Sequence, residues 1–189
     1  EESFSIVRSP KSYNSQIGVP LSLWLIDDTH TLGIFEAGIS EPDEMGKLEK
    51  IIKPTIGIFT NVGEAHSEGF LNVRHKTKEK LNLFTNTEVL IYSKDYPDIN
   101  QSIAEINTLS KGSDETENKI KTFTWSMNNE ADVHINSIMQ KDNHSFISCV
   151  YERKENEFEI PFTDKASVEN AIHCACVMLD LKKEPAGIT

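Results

Sequence analysis

The sequence predicts an α/β fold: a mainly parallel sheet flanked by helices, with a small antiparallel β section after it. Three observations carry this. Short apolar runs recur at residues 31–35, 55–59 and 89–92. The segments between them have helical period, and strand–helix–strand is the rhythm in which parallel strands are joined. From 132 to 162 the period changes to two, the mark of antiparallel hairpins.

Residues 4–7 read as a short strand, 11–18 as a polar loop and 20–26 as the opening of a helix. The run 31–35 reads as a buried strand sharing a sheet with 55–59, with Glu36, Ala37 and Gly38 at its C-terminal end. Residues 42–52 form an amphipathic helix whose apolar face is Met45, Leu48, Ile51 and Ile52. Asp43 and Glu44 at its start and Lys50 and Lys53 at its end suit the helix dipole. The strand 55–59 runs into a loop from Thr60 to His66. A helix over about 72–84 follows, and then the strand 89–92.

Residues 108–119 are polar and read as a surface loop. In the period-two section, Phe146, Ser148 and Val150 alternate with Ile147 and Cys149, with turns at 141–144 and 153–156. A last helix at 165–181 puts Val168, Ile172, Ala175, Cys176 and Leu179 on one face. It is broken by the stretch from Glu184 to Gly187. Trp24 and Trp125 read as packing residues.

The formal charge of −11, from 30 acidic and 19 basic side chains, sets a field that repels a phosphate backbone and argues against nucleic acid as a partner. The apolar runs are far shorter than the ~20 residues that span a bilayer. Glu1 and Glu2 stand where the basic region of a signal peptide would be, so a cytoplasmic setting without membrane insertion is expected. Cys149, Cys174 and Cys176 are odd in number and lack CxxC spacing, which fits reduced packing thiols rather than disulfides or a zinc site.

Ligands of an open parallel sheet bind beyond the carboxyl ends of its strands. Glu36 and His66 sit just there. Two readings are open: a carboxylate and an imidazole that converge on a divalent cation, or a surface Glu and a loop His that never meet. Lys80 falls among Val73, Thr77, Leu81 and Phe84 on the apolar stripe of its helix. It either snorkels outward or turns inward, where low polarity favours the neutral amine. A neutral amine can add CO2 to give a carbamate, turning a cation into a metal-binding anion. Asn170, near the start of the last helix, can contact a base or help cap the helix. His30, His75, His134, His144 and His173 show no ligand spacing.

Several segments together resemble the Mur ligases, in particular the members that add D-alanyl-D-alanine to a UDP-muramoyl tripeptide. The stretch from Tyr13 to Leu21 is similar to their Asn-rich segment ending in Ile-Gly-Val-Pro-Leu. Phe35 to Gly38 resembles their Glu-x-Gly strand end. Thr60, Asn61, Val62, Gly63, Ala65 and His66 fit their Thr-Asn-(Ile/Val)-Gly-x-Ala-His element. Lys80 to Phe84 is similar to the stretch that opens on the modified lysine, and Glu169, Asn170 and Ala171 to the adenine-side helix. The match runs in order through nearly the whole chain.

The resemblance implies an ATP-dependent amide ligase of peptidoglycan precursor synthesis. ATP would phosphorylate the carboxylate of the UDP-MurNAc-peptide, and the amine of D-Ala-D-Ala would attack the acyl phosphate. Magnesium would be held by Glu36, His66 and a carbamylated Lys80. Asn14 would lie on the substrate side and Asn170 against adenine. No G-x-x-x-x-G-K-[ST] occurs here, and in the family this loop precedes the Asn-rich segment. Residues 1–189 are therefore expected to be a central ATP-handling domain, with 132–162 as an antiparallel subsection. The upstream phosphate loop and the C-terminal ligase domain are expected elsewhere in the same parent chain, and the fragment alone is expected to be inactive. Ser15 and Ser167 depart from the family's second Asn and its His-Asn pair. Some members are fused to alanine racemase. A sister amide ligase such as a folylpolyglutamate synthetase, or a non-catalytic domain that has lost ATP, are the competing readings.

Overall fold

The computed structural model describes residues 4–63, 69–109 and 120–181. The chain divides into two compact units. The first is 1–55 with 62–87, and the second is 56–61 with 88–189.

In the first unit, β1 (Ile6–Arg8) pairs in parallel with β2 (Leu32–Ile34). Three helices accompany them: α1 (Gly18–Leu23), α2 (Glu44–Ile52) and α3 (Val73–Leu81), the last tightening into a 3-10 turn at Asn82–Phe84. Val19, Met45, Leu48, Leu81, Leu83 and Phe84 are buried. On α2 the expected apolar face is only partly right, because Ile51 is exposed and Glu49 is buried in its place, accepting from Asn86 Nδ2 at 2.8 Å. Trp24, expected to pack, is 86% exposed.

The second unit holds a six-stranded sheet in simple sequential order. It runs β3 (Ile56–Phe59), β4 (Val89–Ser93), β5 (Lys121–Ser126), β6 (Val133–Lys141), β7 (His144–Tyr151) and β8 (Lys154–Ile160). The pairings from β3 to β6 are parallel, and those from β6 to β8 antiparallel. All of β4 is buried, as befits a central parallel strand. In the antiparallel part, Ile147 and Cys149 face inward while Phe146 is exposed, so the alternation chose the odd residues. The two hairpins turn at Asp142–Asn143 and Glu152–Arg153, all four with positive φ, the signature of type I′ corners. α4 (Pro97–Leu109) buries Ile99 and Ile103. α5 (Lys165–Asp180) packs on β4 and β5, adding Val168, Ile172, Ala175 and Cys176 to the core.

The predicted fold class therefore stands: α/β, mostly parallel, with an antiparallel end. The strand at 31–35 needs correcting. It is neither buried nor in the sheet of 55–59. β2 pairs with β1 in a separate two-stranded sheet, with Gly33 and Ile34 exposed. An apolar run of that length does not say which partner buries it. Two elements had no expectation at all: the parallel strand β5, and α4 over most of its length. The surface-loop expectation for 110–119 and the helix break after 181 lie outside the described residues.

Candidate nucleotide and cation site

The loop before α1 and the end of β2 are stitched together around Asn14. The Asn14 carbonyl accepts from the Gly38 N–H at 2.8 Å, and its side-chain Nδ2 donates to Glu36 Oε1 at 2.9 Å. The Glu36 N–H reaches Ser9 Oγ at 3.4 Å. Glycine is required at both ends of this stitch. A Cβ on Gly38 would lie 3.2 Å from Asn14 Cγ and Nδ2, and one on Gly18 would lie 2.7 Å from the Tyr13 Cα. The loop is further tied to α2, because Gln16 Nε2 donates to Glu44 Oε1 at 2.8 Å. The other oxygen of Glu44 accepts the Ser40 and Glu41 N–H groups, and these bonds hold the carboxyl below its usual range despite burial. Sequence reasoning therefore found two residues that touch, although they are 22 positions apart.

Glu36 is exposed, and one of its oxygens is oriented by an amide donor. Exposed hard oxygen is what magnesium takes from a protein, usually one or two carboxylates with phosphate and water completing the shell. Glu36 fits that role. His66 lies outside the described residues. Among the described residues, no group of three or more His, Cys, Asp or Glu side chains gathers as a metal cage.

Lys80 is half-buried on α3. Burial pushes its pKa down, and the neighbouring charge of Lys76 pushes it further in the same direction. The stripe around it is real at Thr77, Leu81 and Phe84, but Val73 is 49% exposed. Lys76 was not anticipated. It is 3% exposed, donates to the Gly63 carbonyl at 2.8 Å, and lies 5.9 Å from the Phe70 ring centre. The one available signal was its spacing, a single helical turn before Lys80.

Asn170 is exposed on α5, in the second unit. It does not cap that helix: Asp164 does, accepting the Ser167 N–H at 2.9 Å. One turn further on, His173 is 2% exposed and accepts the Trp125 indole N–H on Nδ1 at 3.2 Å. Near the start of α5 a cleft of about 480 Å3 is lined by residues that include Asp95, Tyr96, Trp125, Met127, Lys165 and Glu169. The Tyr96 hydroxyl donates to the Glu169 carboxylate at 2.7 and 2.8 Å. Asp95 is fixed by the Met127 N–H, by Asn129 and by the Ser126 hydroxyl. None of these residues except Trp125 and Glu169 had been singled out. Cys149 and Cys176 are buried free thiols and Cys174 is an exposed one.

This arrangement has close parallels. The family described as Mur ligase middle domain matches residues 2–178. The chain belongs to the Mur ligase family. The UDP-N-acetylmuramoyl-tripeptide–D-alanyl-D-alanine ligase of Haemophilus influenzae is 20% identical over 180 residues, which is 95% of this chain and 37% of that protein. Its counterpart in Treponema pallidum is 39% identical over 85 residues, 44% of this chain and 18% of that protein. The MurF structure from Acinetobacter baumannii superposes with a TM-score of 0.81 at 18% identity, covering 97% of this chain and 38% of that one. Thermotoga maritima MurF in complex with ADP superposes at 0.78 with 18% identity, covering 96% and 40%. A mutant of Lactobacillus-type folate ligase, described as L. casei FPGS, superposes less well, at 0.59 and 12% identity, covering 79% and 33%. This Mur ligase middle domain thus spans well under two thirds of its relatives' length. No helix among its described residues is long and apolar enough to cross a membrane.

Proposed function

We propose that this chain is the ATP-handling middle domain of a ligase that joins D-Ala-D-Ala to a UDP-MurNAc-tripeptide. The observation that carries the reading is the Asn14–Glu36 hydrogen bond, closed at 2.9 Å beside a glycine that only an absent side chain permits. It holds an exposed carboxylate at the end of a strand, where a magnesium–nucleotide complex needs one. Magnesium, when bound, neutralises charge on the transferring phosphoryl group. Glu36 would hold it, with His66 and a carbamylated Lys80 as further ligands. Asn14 would fix the orientation of Glu36 and face the peptide substrate, and Asn170 would lie against adenine. The closer superposition on MurF than on the folate ligase supports this substrate class.

The deciding experiment is Glu36→Gln in the complete ligase. The exchange keeps shape and removes charge, and turnover should drop roughly 100-fold or more, ~3 kcal/mol of transition-state stabilisation. Near-normal turnover at low magnesium would refute the assignment. The chain by itself carries no G-x-x-x-x-G-K-[ST] cradle for phosphates, so it should be silent alone. Calorimetry on it should detect no tight Mg-ATP binding. A micromolar dissociation constant, about −8 kcal/mol, would overturn that expectation.

A further inference from the structure

His173 has a chemical state that its surroundings dictate. An indole N–H can only donate, so the Trp125 contact at 3.2 Å requires a bare Nδ1 and places the proton of the neutral ring on Nε2. The two rings meet edge to face, 5.4 Å apart at 77°, which fixes the imidazole plane as well. The result is a buried donor, Nε2–H, with no hydrogen-bond partner. Such a group is costly, and native folds seldom keep one without a use.

The backbone beside this ring is that of Thr60, which acts on it as an acceptor does, favouring its proton, although the geometry stops short of a formed bond. Thr60 is the residue at which β3 ends. His173 also stands one turn after Asn170 on α5, so the two side chains are neighbours on the helix surface. Three elements thus meet at one imidazole: Trp125 of β5 behind it, the end of β3 before it, and the Asn170 turn of α5 that bears it.

We propose that His173 is a positioning residue of the nucleotide site: its Nε2–H closes onto the Thr60 carbonyl when nucleotide is bound, locking the end of β3 against the turn of α5 that carries Asn170. This rests on the reading of the chain as a nucleotide-handling domain. It adds a residue that the family resemblance did not single out. His173 touches neither substrate nor metal and acts through Thr60 and Asn170.

The test uses the complete ligase with nitrogen-labelled histidine and a non-hydrolysable ATP analogue with magnesium. In the free enzyme, His173 should show the Nε2–H tautomer. On addition of the analogue, the Nε2–H proton should move downfield as its hydrogen bond shortens. His173→Phe removes the donor and should raise the KM for ATP roughly tenfold, with kcat changed about twofold or less. His173→Gln offers an amide N–H at a similar reach and should recover most of that loss. An Nε2–H signal that does not shift on saturation with analogue overturns the proposal, and this holds even if the variants fold poorly. So does a His173→Phe enzyme with unchanged KM, or one with equal losses in kcat and thermal midpoint alone. Failure of the underlying reading would appear differently, as wild-type enzyme that binds no analogue or as a fully active Glu36→Gln variant.

Discussion

The ammonium of Lys76 donates to the carbonyl of Gly63 across 2.8 Å, inside the first unit and almost wholly out of water. A buried ammonium that loses its acceptors is strongly destabilising, whereas an apolar replacement of like length is far less so. Lys76 therefore anchors the chain after β3 to α3.

Lys76→Ala should destabilise the fold by about 2–3 kcal/mol, since it deletes both a charge-assisted hydrogen bond and a buried stem. Lys76→Met keeps the stem and should cost clearly less. Urea denaturation of both variants, analysed by midpoint at constant slope, measures the difference. Equal and negligible losses would mean that Lys76 does not anchor this segment.

Stability should fall on mild acidification because of His173. Burial pushes its pKa down to about 4 from 6.5, with the Thr60 backbone opposing. The folded ring therefore stays neutral where the unfolded ring takes up a proton. Its contribution is complete above the unfolded value and is lost as pH drops from 6.5 towards 4, by ~1.4 kcal/mol per pH unit and roughly 3 kcal/mol in all. Denaturation midpoints at pH 7, 5.5 and 4.5 should slope more steeply for wild type than for His173→Phe. Parallel slopes would show that the ring titrates alike in both states.

In the complete ligase, Lys80 should carry a carbamate. Its burial and the Lys76 charge both favour the neutral amine, the form that adds CO2. Lys80→Ala should remove most activity, and a short carboxylic acid in the medium should partly restore it by supplying the lost carboxylate. A Lys80→Ala enzyme that ligates normally would leave only the snorkelling role.

Much of the fold was legible because the local pattern and the burial agreed. In α2, Met45 and Leu48 are buried at the expected spacing, and the 132–162 meander shows its period of two in Ile147 and Cys149. β5 was missed although Phe123 and Trp125 alternate with Thr122 and Thr124, because threonine on the second face weakens the contrast that marks a strand. β2 was misassigned because pairing is a long-range choice. Glu36 and Asn14 could be picked out by resemblance, but their mutual hydrogen bond could not, being a tertiary contact across 22 positions. Lys76 stayed hidden because a lysine reads as surface until its burial is seen.

The two corners of the meander differ in kind. Asp142 and Asn143 hold positive φ in a residue pair that tolerates it, while Glu152 and Arg153 hold φ of 48° and 66° against their own preference. The first corner is encoded locally and the second is imposed by the strands it joins. Folding of the antiparallel end should accordingly start at β6–β7, with β8 added late. Placing Asn-Gly at 152–153 would make both corners self-starting, and stopped-flow refolding should then show a faster folding limb. An unchanged folding rate with slower unfolding would put that corner after the rate-limiting step.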